Sequence, residues 1–252
     1  MDRTRLLDLL AEVERGDLTP DAAADRLRNL PFESLDFARI DHHRALRTGL
    51  PEVIYAAGKT PEQTSAIFAR MAAAGQDVLA TRVDEATAAA VLALAPGVSH
   101  NATARTLALR QSAPQPPRGH IAVLCAGTSD LPVAEEAAVT AELFGSQVTR
   151  LYDVGVAGLH RLLAVRADLG TADVVIVCAG MEGALPSVVG GLVAVPVIAV
   201  PTSVGYGVSF SGVAALLGML NSCSPNVTVV NIDNGFGAAY TATMIARASS
   251  RR

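Results

Sequence analysis

Residues 183–232, GALPSVVGGLVAVPVIAVPTSVGYGVSFSGVAALLGMLNSCSPNVTVVNI, run for fifty positions between Glu182 and Asp233 without one Asp, Glu, Lys, Arg or His. Such a stretch must be buried. As a single helix rising about 1.5 Å per residue it would overshoot a bilayer, and Pro186, Pro196, Pro201 and Pro225 cut it into short pieces. The pieces alternate in type. Leu185 to Ala194 reads as helix, Pro196 to Val200 as strand, Ser211 to Asn221 as helix and Val227 to Ile232 as strand. Apolar strands without in/out alternation belong to parallel sheets covered on both faces, so the stretch predicts a βαβ core. Within it lies a polar loop carrying one thiol, Asn221-Ser222-Cys223-Ser224-Pro225-Asn226.

Working outward, a chain of 252 residues with 50% hydrophobic content supports one large domain or two smaller ones. The net charge of −4 comes without any basic block, which argues against nucleic-acid or anionic-membrane partners and for small ligands. The amphipathic start from Met1 to Arg5 lacks an apolar signal core, and the three cysteines lack a C-x-x-C pair. Both features predict a reducing, cytoplasmic setting, with the sequons at Asn101 and Asn226 as chance matches. With six Phe and no Trp, the apolar content is mostly Ala, Val and Leu, suited to tight helix-on-sheet layers and to subunit contacts. A homo-oligomer is expected.

The N-terminal part reads as a small α+β domain, residues 1–112. Arg3 to Arg15 and the segment from Thr19-Pro20-Asp21 form a helical pair. Strands are expected around Asp36 to Asp41, Pro51 to Gly58, Asp77 to Val83 and Thr106 to Arg110. Thr60-Pro61-Glu62-Gln63 is a capping box opening a helix to about Ala74, and a second helix spans Asp84 to Ala95. The proline-dense run 113–119 reads as a linker. Residues 120–252 then alternate strand and helix: Ile121 to Cys125, Pro132 to Phe144, Gln147 to Tyr152, Gly158 to Asp168, Val174 to Cys178, and on into the charge-free stretch. Five strands alternating with helices predict an α/β, doubly wound parallel sheet with ligands at the carboxyl ends of its strands. The candidate loops are Gly127 to Asp130, Asp153 to Gly158, Gly180 to Gly183, Thr202 to Gly207 and Asp233 to Gly237.

Gly127-Thr128-Ser129-Asp130 joins a strand to a helix, where backbone N–H groups can hold phosphate; Ser129 or Asp130 also fits a plain helix cap. His160 and Arg161 near a helix start are a second phosphate candidate or an ordinary surface pair. Cys125 and Cys178 end apolar strands and read as inert core thiols, whereas Cys223 lies among polar residues and is a candidate nucleophile. No His/Cys/carboxylate spacing fits a transition-metal site, so no protein-held metal is expected.

These residues carry a resemblance. Residues from about 119 to 245 resemble the phosphoribosylaminoimidazole carboxylase (PurE) fold, a flavodoxin-like sheet whose Gly-Ser-x-Ser-Asp-x-x-Pro loop holds phosphate, with Gly127 to Pro132 as a shortened relative. Four motifs are more similar to the LarB family, the pyridinium-3,5-biscarboxylic acid mononucleotide synthases of nickel-pincer cofactor biosynthesis. They are Gly180-Met181-Glu182-Gly183-Ala184-Leu185-Pro186-Ser187, Pro201-Thr202-Ser203-Val204-Gly205-Tyr206-Gly207, Leu220 to Pro225, and Asn231-Ile232-Asp233-Asn234-Gly235-Phe236-Gly237. Pro51 to Tyr55 and Gly58 to Gln63 resemble that family too. Where the purine enzymes carry Ser-Ala-His-Arg, this chain has Asp153-Val154-Gly155-Val156-Ala157-Gly158-Leu159-His160-Arg161, which points away from an aminoimidazole substrate.

The resemblance implies carboxylation of nicotinic acid adenine dinucleotide with CO2 or bicarbonate, followed by phosphoanhydride cleavage releasing AMP. It implies Cys223 as the thiolate that adds to the ring and Glu182, in apolar surroundings, as the carboxylate that removes the ring proton. Ser129, Asp130, His160 and Arg161 would hold phosphates and ribose beside Gly127, Thr128, Gly180, Met181, Gly183 and Ser203, while Asp153 assists either step. Mg2+ is a candidate partner of the substrate pyrophosphate, no organic cofactor is expected, and the related fold implies a homo-octamer. The rival readings are an aminoimidazole ribonucleotide carboxylase or mutase, which needs no thiol, and a non-catalytic nucleotide-binding module.

Overall fold

Thr60 is where local sequence most plainly dictates structure. Its hydroxyl accepts the Gln63 N–H at 3.2 Å while the Gln63 side chain accepts the Thr60 N–H at 3.1 Å, so two helix-end donors are satisfied reciprocally. A computed structural model describes residues 3–27 and 32–249. In chain order, the first unit contains α1 (Arg3–Arg15), α2 (Pro20–Leu27), β1 (Glu33–Ser34), β2 (Arg39–Ile40) and α3 (Arg44–Thr48). It continues with β3 (Val53–Tyr55), α4 (Pro61–Ala73), β4 (Val78–Thr81), α5 (Glu85–Leu94), β5 (Ser99–Asn101) and β6 (Thr106–Leu109). A two-stranded β1-β2 ribbon accompanies a mixed sheet ordered β3-β4-β6-β5, in which β3 and β4 run parallel and the other pairs antiparallel. Phe68 and Met71 of α4 pack with Val78, Ala80 and Leu107 as the centre of its core. Strand β5 was not foreseen, because Ser99-His100-Asn101 offers no apolar period.

The chain divides between Ala113 and Pro114, with the turn Ala102–Arg105 grouped with the second unit. Residues 113–118 adopt neither helix nor strand and are exposed.

The second unit contains β7 (His120–Cys125), α6 (Leu131–Leu143), β8 (Gln147–Leu151), α7 (Leu159–Ala164), α8 (Arg166–Leu169) and β9 (Val174–Ala179). The charge-free stretch supplies α9 (Leu185–Gly190), β10 (Val197–Pro201), α10 (Val213–Leu220) and β11 (Val227–Val229), and α11 (Gly235–Ser249) closes the fold. All five strands are parallel, in the order β11-β10-β9-β7-β8. Alternate residues of each strand serve opposite faces. Ile121, Val123 and Cys125 join Val174, Ile176 and Cys178 under α6 and α11, whereas Ala122 and Leu124 join Val175 and Val177 against Leu162, Leu185, Val189 and Met219. The first face is lined by Ala134, Ala137, Ala138 and Ala141 of α6 with Ala238, Ala239, Ala242 and Ala246 of α11, short side chains that let both helices sit close to the sheet. The PurE-like, flavodoxin-like doubly wound sheet expected from the alternation is thus the observed architecture.

Three elements depart from expectation. The helix foreseen over 158–168 is broken at Val165 into α7 and α8, α9 stops at Gly190-Gly191 instead of reaching Ala194, and Asp233 to Gly237, read as a loop, runs into the fifteen-residue α11.

Candidate active site

Strand order places the site. Reading outward from β7, the chain goes one way to β8 and the other way to β9, so the crossovers diverge between β7 and β9 and leave a crevice at their carboxyl ends. There a cavity of about 330 Å³ opens. The loop after β7 lines it with Ala126, Gly127, Ser129 and Asp130, the loop after β8 with Asp153, Gly155, Val156 and Ala157, α7 with Arg161, and the segment after β9 with Gly180, Met181 and Glu182. Val204, beyond β10, completes the wall, and the Met181 N–H donates to its carbonyl at 2.9 Å. A Cβ on Gly180 would run into that same carbonyl oxygen and the Thr202 hydroxyl, so no larger residue fits between the two loops.

Asp130 organises the first loop. It is 3% exposed; one carboxylate oxygen accepts the Thr202 hydroxyl at 2.6 Å and the other the Gly127 N–H at 2.9 Å. Burial pushes its carboxyl above the ordinary range, and the bonds from Thr202 and Gly127 offset only part of that push. The Gly127 amide, expected to face phosphate, is therefore already engaged with Asp130. Across the cavity, the Arg161 guanidinium pairs with Asp153 at 2.5 Å and lies over Gly158, whose Cβ would sit 2.7 Å from Nε. Asp153 and Met181 hold left-handed backbone angles, φ 56° and 54°, and Asp233 does the same at 56° while accepting the Ser203 N–H at 2.8 Å.

The fold thus gathers Gly127, Ser129, Asp130, Asp153, Arg161, Gly180, Met181 and Glu182 around one cavity. Thr128, His160, Gly183 and Ser203 do not line it. His160 follows Leu159 on α7 one position before Arg161, and neighbours on a helix diverge by about 100°, so only the arginine reaches the cavity. Glu182, expected in apolar surroundings, is exposed at the rim, because β9 ends three residues earlier and the chain turns there.

Cys223 lies away from this cavity. Its loop lies between α10 and β11 and so enters the sheet on the amino side: the Asn226 carbonyl accepts the Val197 N–H at 2.9 Å beside the first residue of β10. Cys223 is exposed and does not line the cavity. The other thiols behave as foreseen, since burial pushes Cys125 to about 11 and Cys178 well above its ordinary value. The polar character of the Cys223 loop has a structural cause that sequence reading missed. The Asn226 amide donates to the carbonyls of Gly190, Val193 and Val195 at 3.2, 3.2 and 3.0 Å, and the Ser222 and Ser224 hydroxyls bond Ser187. Among the described residues no group of three or more His, Cys, Asp or Glu side chains is arranged to hold a metal ion, and no helix is long and apolar enough to cross a membrane.

Comparisons with known proteins agree with this architecture. Residues 32–111 match the LarB/PurE-like N-terminal domain family and residues 120–252 the AIR carboxylase family. The chain is 38% identical over 251 residues to uncharacterized protein MJ0165 of Methanocaldococcus jannaschii, covering 96% of this chain and 97% of that protein. It is 35% identical over 130 residues to the N5-carboxyaminoimidazole ribonucleotide mutase of the same organism, covering 50% of this chain and 77% of the mutase. A crystal structure of a single-substitution variant of Treponema denticola PurE2 matches at 23% identity with a TM-score of 0.42 over 54% of this chain and 87% of that one. With a LarB-type domain followed by an AIR carboxylase domain of the carboxylase/mutase type, the chain belongs to the LarB family.

Proposed function

We propose that this protein carboxylates the pyridinium ring of nicotinic acid adenine dinucleotide at carbon five and then hydrolyses the phosphoanhydride, releasing AMP and pyridinium-3,5-biscarboxylic acid mononucleotide. The observation that carries the proposal is a cavity bearing carboxylates and an arginine in a chain with one exposed thiol, Cys223, which lies outside that cavity, while both other thiols are sealed in the core. A pyridinium ring is too electron-poor to attack CO2. Addition of the Cys223 thiolate to ring carbon four converts the ring to a 1,4-dihydropyridine, whose enamine makes carbon five nucleophilic. Carbon five bonds to CO2 as the ring nitrogen becomes an iminium. Glu182 then takes the proton from carbon five, the C–S electron pair leaves with the thiolate, and aromaticity returns. One C–H bond is exchanged for one C–C bond, and the thiolate is regenerated.

Arg161 and Ser129, both in the cavity lining, would meet the substrate phosphates, with Arg161 exchanging Asp153 for phosphate oxygen; the released Asp153 carboxylate would then accept a proton from water attacking phosphorus. The side chains at the cavity do not fit a resident Mg2+, because Asp130 is occupied by Thr202 and Gly127 and Asp153 by Arg161. Any Mg2+ would arrive on the substrate pyrophosphate, and none of these steps passes through it.

The test is mass spectrometry of products after incubation with the dinucleotide and bicarbonate. Wild-type protein should yield the dicarboxylated mononucleotide and AMP; Cys223→Ala and Cys223→Ser should yield neither while still binding dinucleotide, since an alkoxide is scarce at neutral pH and leaves poorly. Glu182→Gln should accumulate a Cys223-bound adduct, visible as added mass on the intact chain. The similarity to the ribonucleotide mutase favours a second reading, mutase chemistry on an aminoimidazole ribonucleotide. It needs no thiol, so a Cys223→Ala protein active on that substrate would establish it in place of ours.

A further inference from the structure

The first unit has a strand-end rim of its own. β3, α4 and β4 form a βαβ unit, and β3 with β4 is the parallel pair of that sheet, Tyr55 standing opposite Thr81. Space beyond the carboxyl ends of parallel strands, beside the start of the following helix, is where small ligands settle in such units. Ala56-Ala57-Gly58-Lys59-Thr60 leaves β3 there without an acidic residue. Gly58, at φ 80°, has nothing within 4 Å of the place a Cβ would occupy, so the loop borders open space.

Of the 20 Lys and Arg residues in the chain, Lys59 alone is lysine. Its ammonium donates to the Tyr55 carbonyl at 2.6 Å and stands 5.9 Å from the centre of the Tyr55 ring. That spends one N–H of the three an ammonium carries. The Tyr55 ring is 58% exposed, so an aromatic face and a positive charge are presented together. Arg82 follows the end of β4 at φ 58°, a left-handed conformation that non-glycine residues adopt only where the surroundings impose it. The register supplies a further group. Ile54, Ala80 and Leu107 join Phe68 and Met71 of α4 in the core, so strand alternation turns Tyr55, Thr81 and Thr106 to the opposite face in one row. Thr106 is 1% exposed, and its hydroxyl has no hydrogen-bond partner among the described residues. A buried hydroxyl in that state is costly unless another polar group meets it.

We propose that this rim of the first unit binds a nucleotide, with phosphate oxygens held by Lys59, Arg82 and the Thr106 hydroxyl and the base laid on the exposed face of Tyr55. With strands about 4.8 Å apart, the row from Tyr55 to Thr106 covers about 10 Å, a span suited to a nucleoside monophosphate lying from base to phosphate. Two cations and a hydroxyl donor select an anion, and the ring selects a phosphate that carries an aromatic base over inorganic phosphate. Asp84, the next carboxylate along the chain after β4, is engaged in capping α5, where it accepts the Thr87 N–H at 2.8 Å. The site uses none of the cavity residues described above, so it stands or falls independently of the carboxylation reading.

The single lysine makes the test direct. The full chain is treated with N-hydroxysuccinimidyl acetate, and acetylation of Lys59 and of the N-terminal amine is followed by peptide mass spectrometry. With AMP at about ten times its Kd, the Lys59 rate should fall about tenfold because only free protein reacts, while the N-terminal rate stays unchanged. Adenosine should give no protection, and inorganic phosphate should protect only at higher concentrations than AMP. Tyr55→Ala, at an exposed position, should leave the fold intact and raise the AMP requirement to that of inorganic phosphate. Arg82→Met should weaken protection by both. An unchanged Lys59 rate in millimolar AMP overturns the proposal. So does equal protection of the wild-type protein by AMP and by either adenosine or inorganic phosphate, and so does undiminished AMP protection in both variants.

Discussion

Replacing Asn226 should show that the thiol loop is clamped. The Asn226 amide nitrogen faces the carbonyls of Gly190, Val193 and Val195, while its own oxygen is buried without a partner. Asn226→Ala removes two N–H donors worth about 0.5–1.5 kcal/mol each and relieves one unpartnered oxygen, leaving a net loss of about 1–2 kcal/mol. At about 2–4 °C per kcal/mol for a chain of this size, Tm falls by about 2–8 °C. Asn226→Asp keeps the shape but turns an oxygen towards three carbonyl oxygens, so at pH 7 it should cost more than the alanine, about 3 kcal/mol. The sign with pH follows. The ionised form is penalised in the folded state, so the introduced carboxyl has a raised folded pKa; the deficit is small where it is protonated and can donate, and grows as pH rises through its titration. Differential scanning calorimetry of the three proteins at pH 4 and pH 7 measures this. If Asn226→Asp melts at or above Asn226→Ala at pH 7, the clamp is not what holds the loop.

Gly180→Ala drives a methyl against the Val204 carbonyl and Thr202 hydroxyl and should cost about 2 kcal/mol or more by denaturant titration, with loss of dinucleotide binding as the cavity wall shifts. Asp130→Asn should fold, because Thr202 can turn to accept from the new amide while the remaining oxygen keeps the Gly127 N–H. The wild-type carboxyl is raised by burial, so its contribution to stability declines as pH climbs from the unfolded to the folded pKa; the stability of Asp130→Asn relative to wild type should therefore increase over that range in urea melts. Limited proteolysis at Arg118, within the exposed irregular segment, should release a folded fragment beginning near His120, and resistance there with cleavage elsewhere would contradict the linker assignment.

The parts of the fold legible in sequence were those where one local rule acts alone. Apolar runs such as Val174 to Cys178 announced buried parallel strands, and Thr60 with Gln63 announced a helix start. Where two signals compete, the tertiary context decided: Gly235-Phe236-Gly237 reads as loop, yet packing of the following alanines against α6 carries α11 back to it. The candidate loops were sought at carboxyl strand ends, but which of them converge on one cavity depends on strand order, and no residue states that β7 lies between β8 and β9. Asp130 stood out by its position after a strand, while its partner Thr202, 72 residues away, did not. The end of the sheet at which Cys223 lies was available in principle, since a loop that precedes a parallel strand enters from the amino side. The apolar surroundings of Glu182 along the chain did not carry over to space, where three residues past β9 suffice to bring it to solvent.

The left-handed backbone at Met181 has a consequence for how this protein can change. Aspartate tolerates such angles through its short polar side chain, as Asp153 and Asp233 do, but methionine does not, and each such residue costs on the order of 1–3 kcal/mol. Glycine at position 181 would relieve that strain outright, so random mutation and any screen for thermal tolerance alone will favour it. A lineage or library drifting that way would gain robustness while losing the thioether that stands 41% exposed on the cavity wall. Retention of methionine under selection for turnover, and its loss under selection for heat resistance, would mark position 181 as a point where durability and performance pull the same residue in opposite directions.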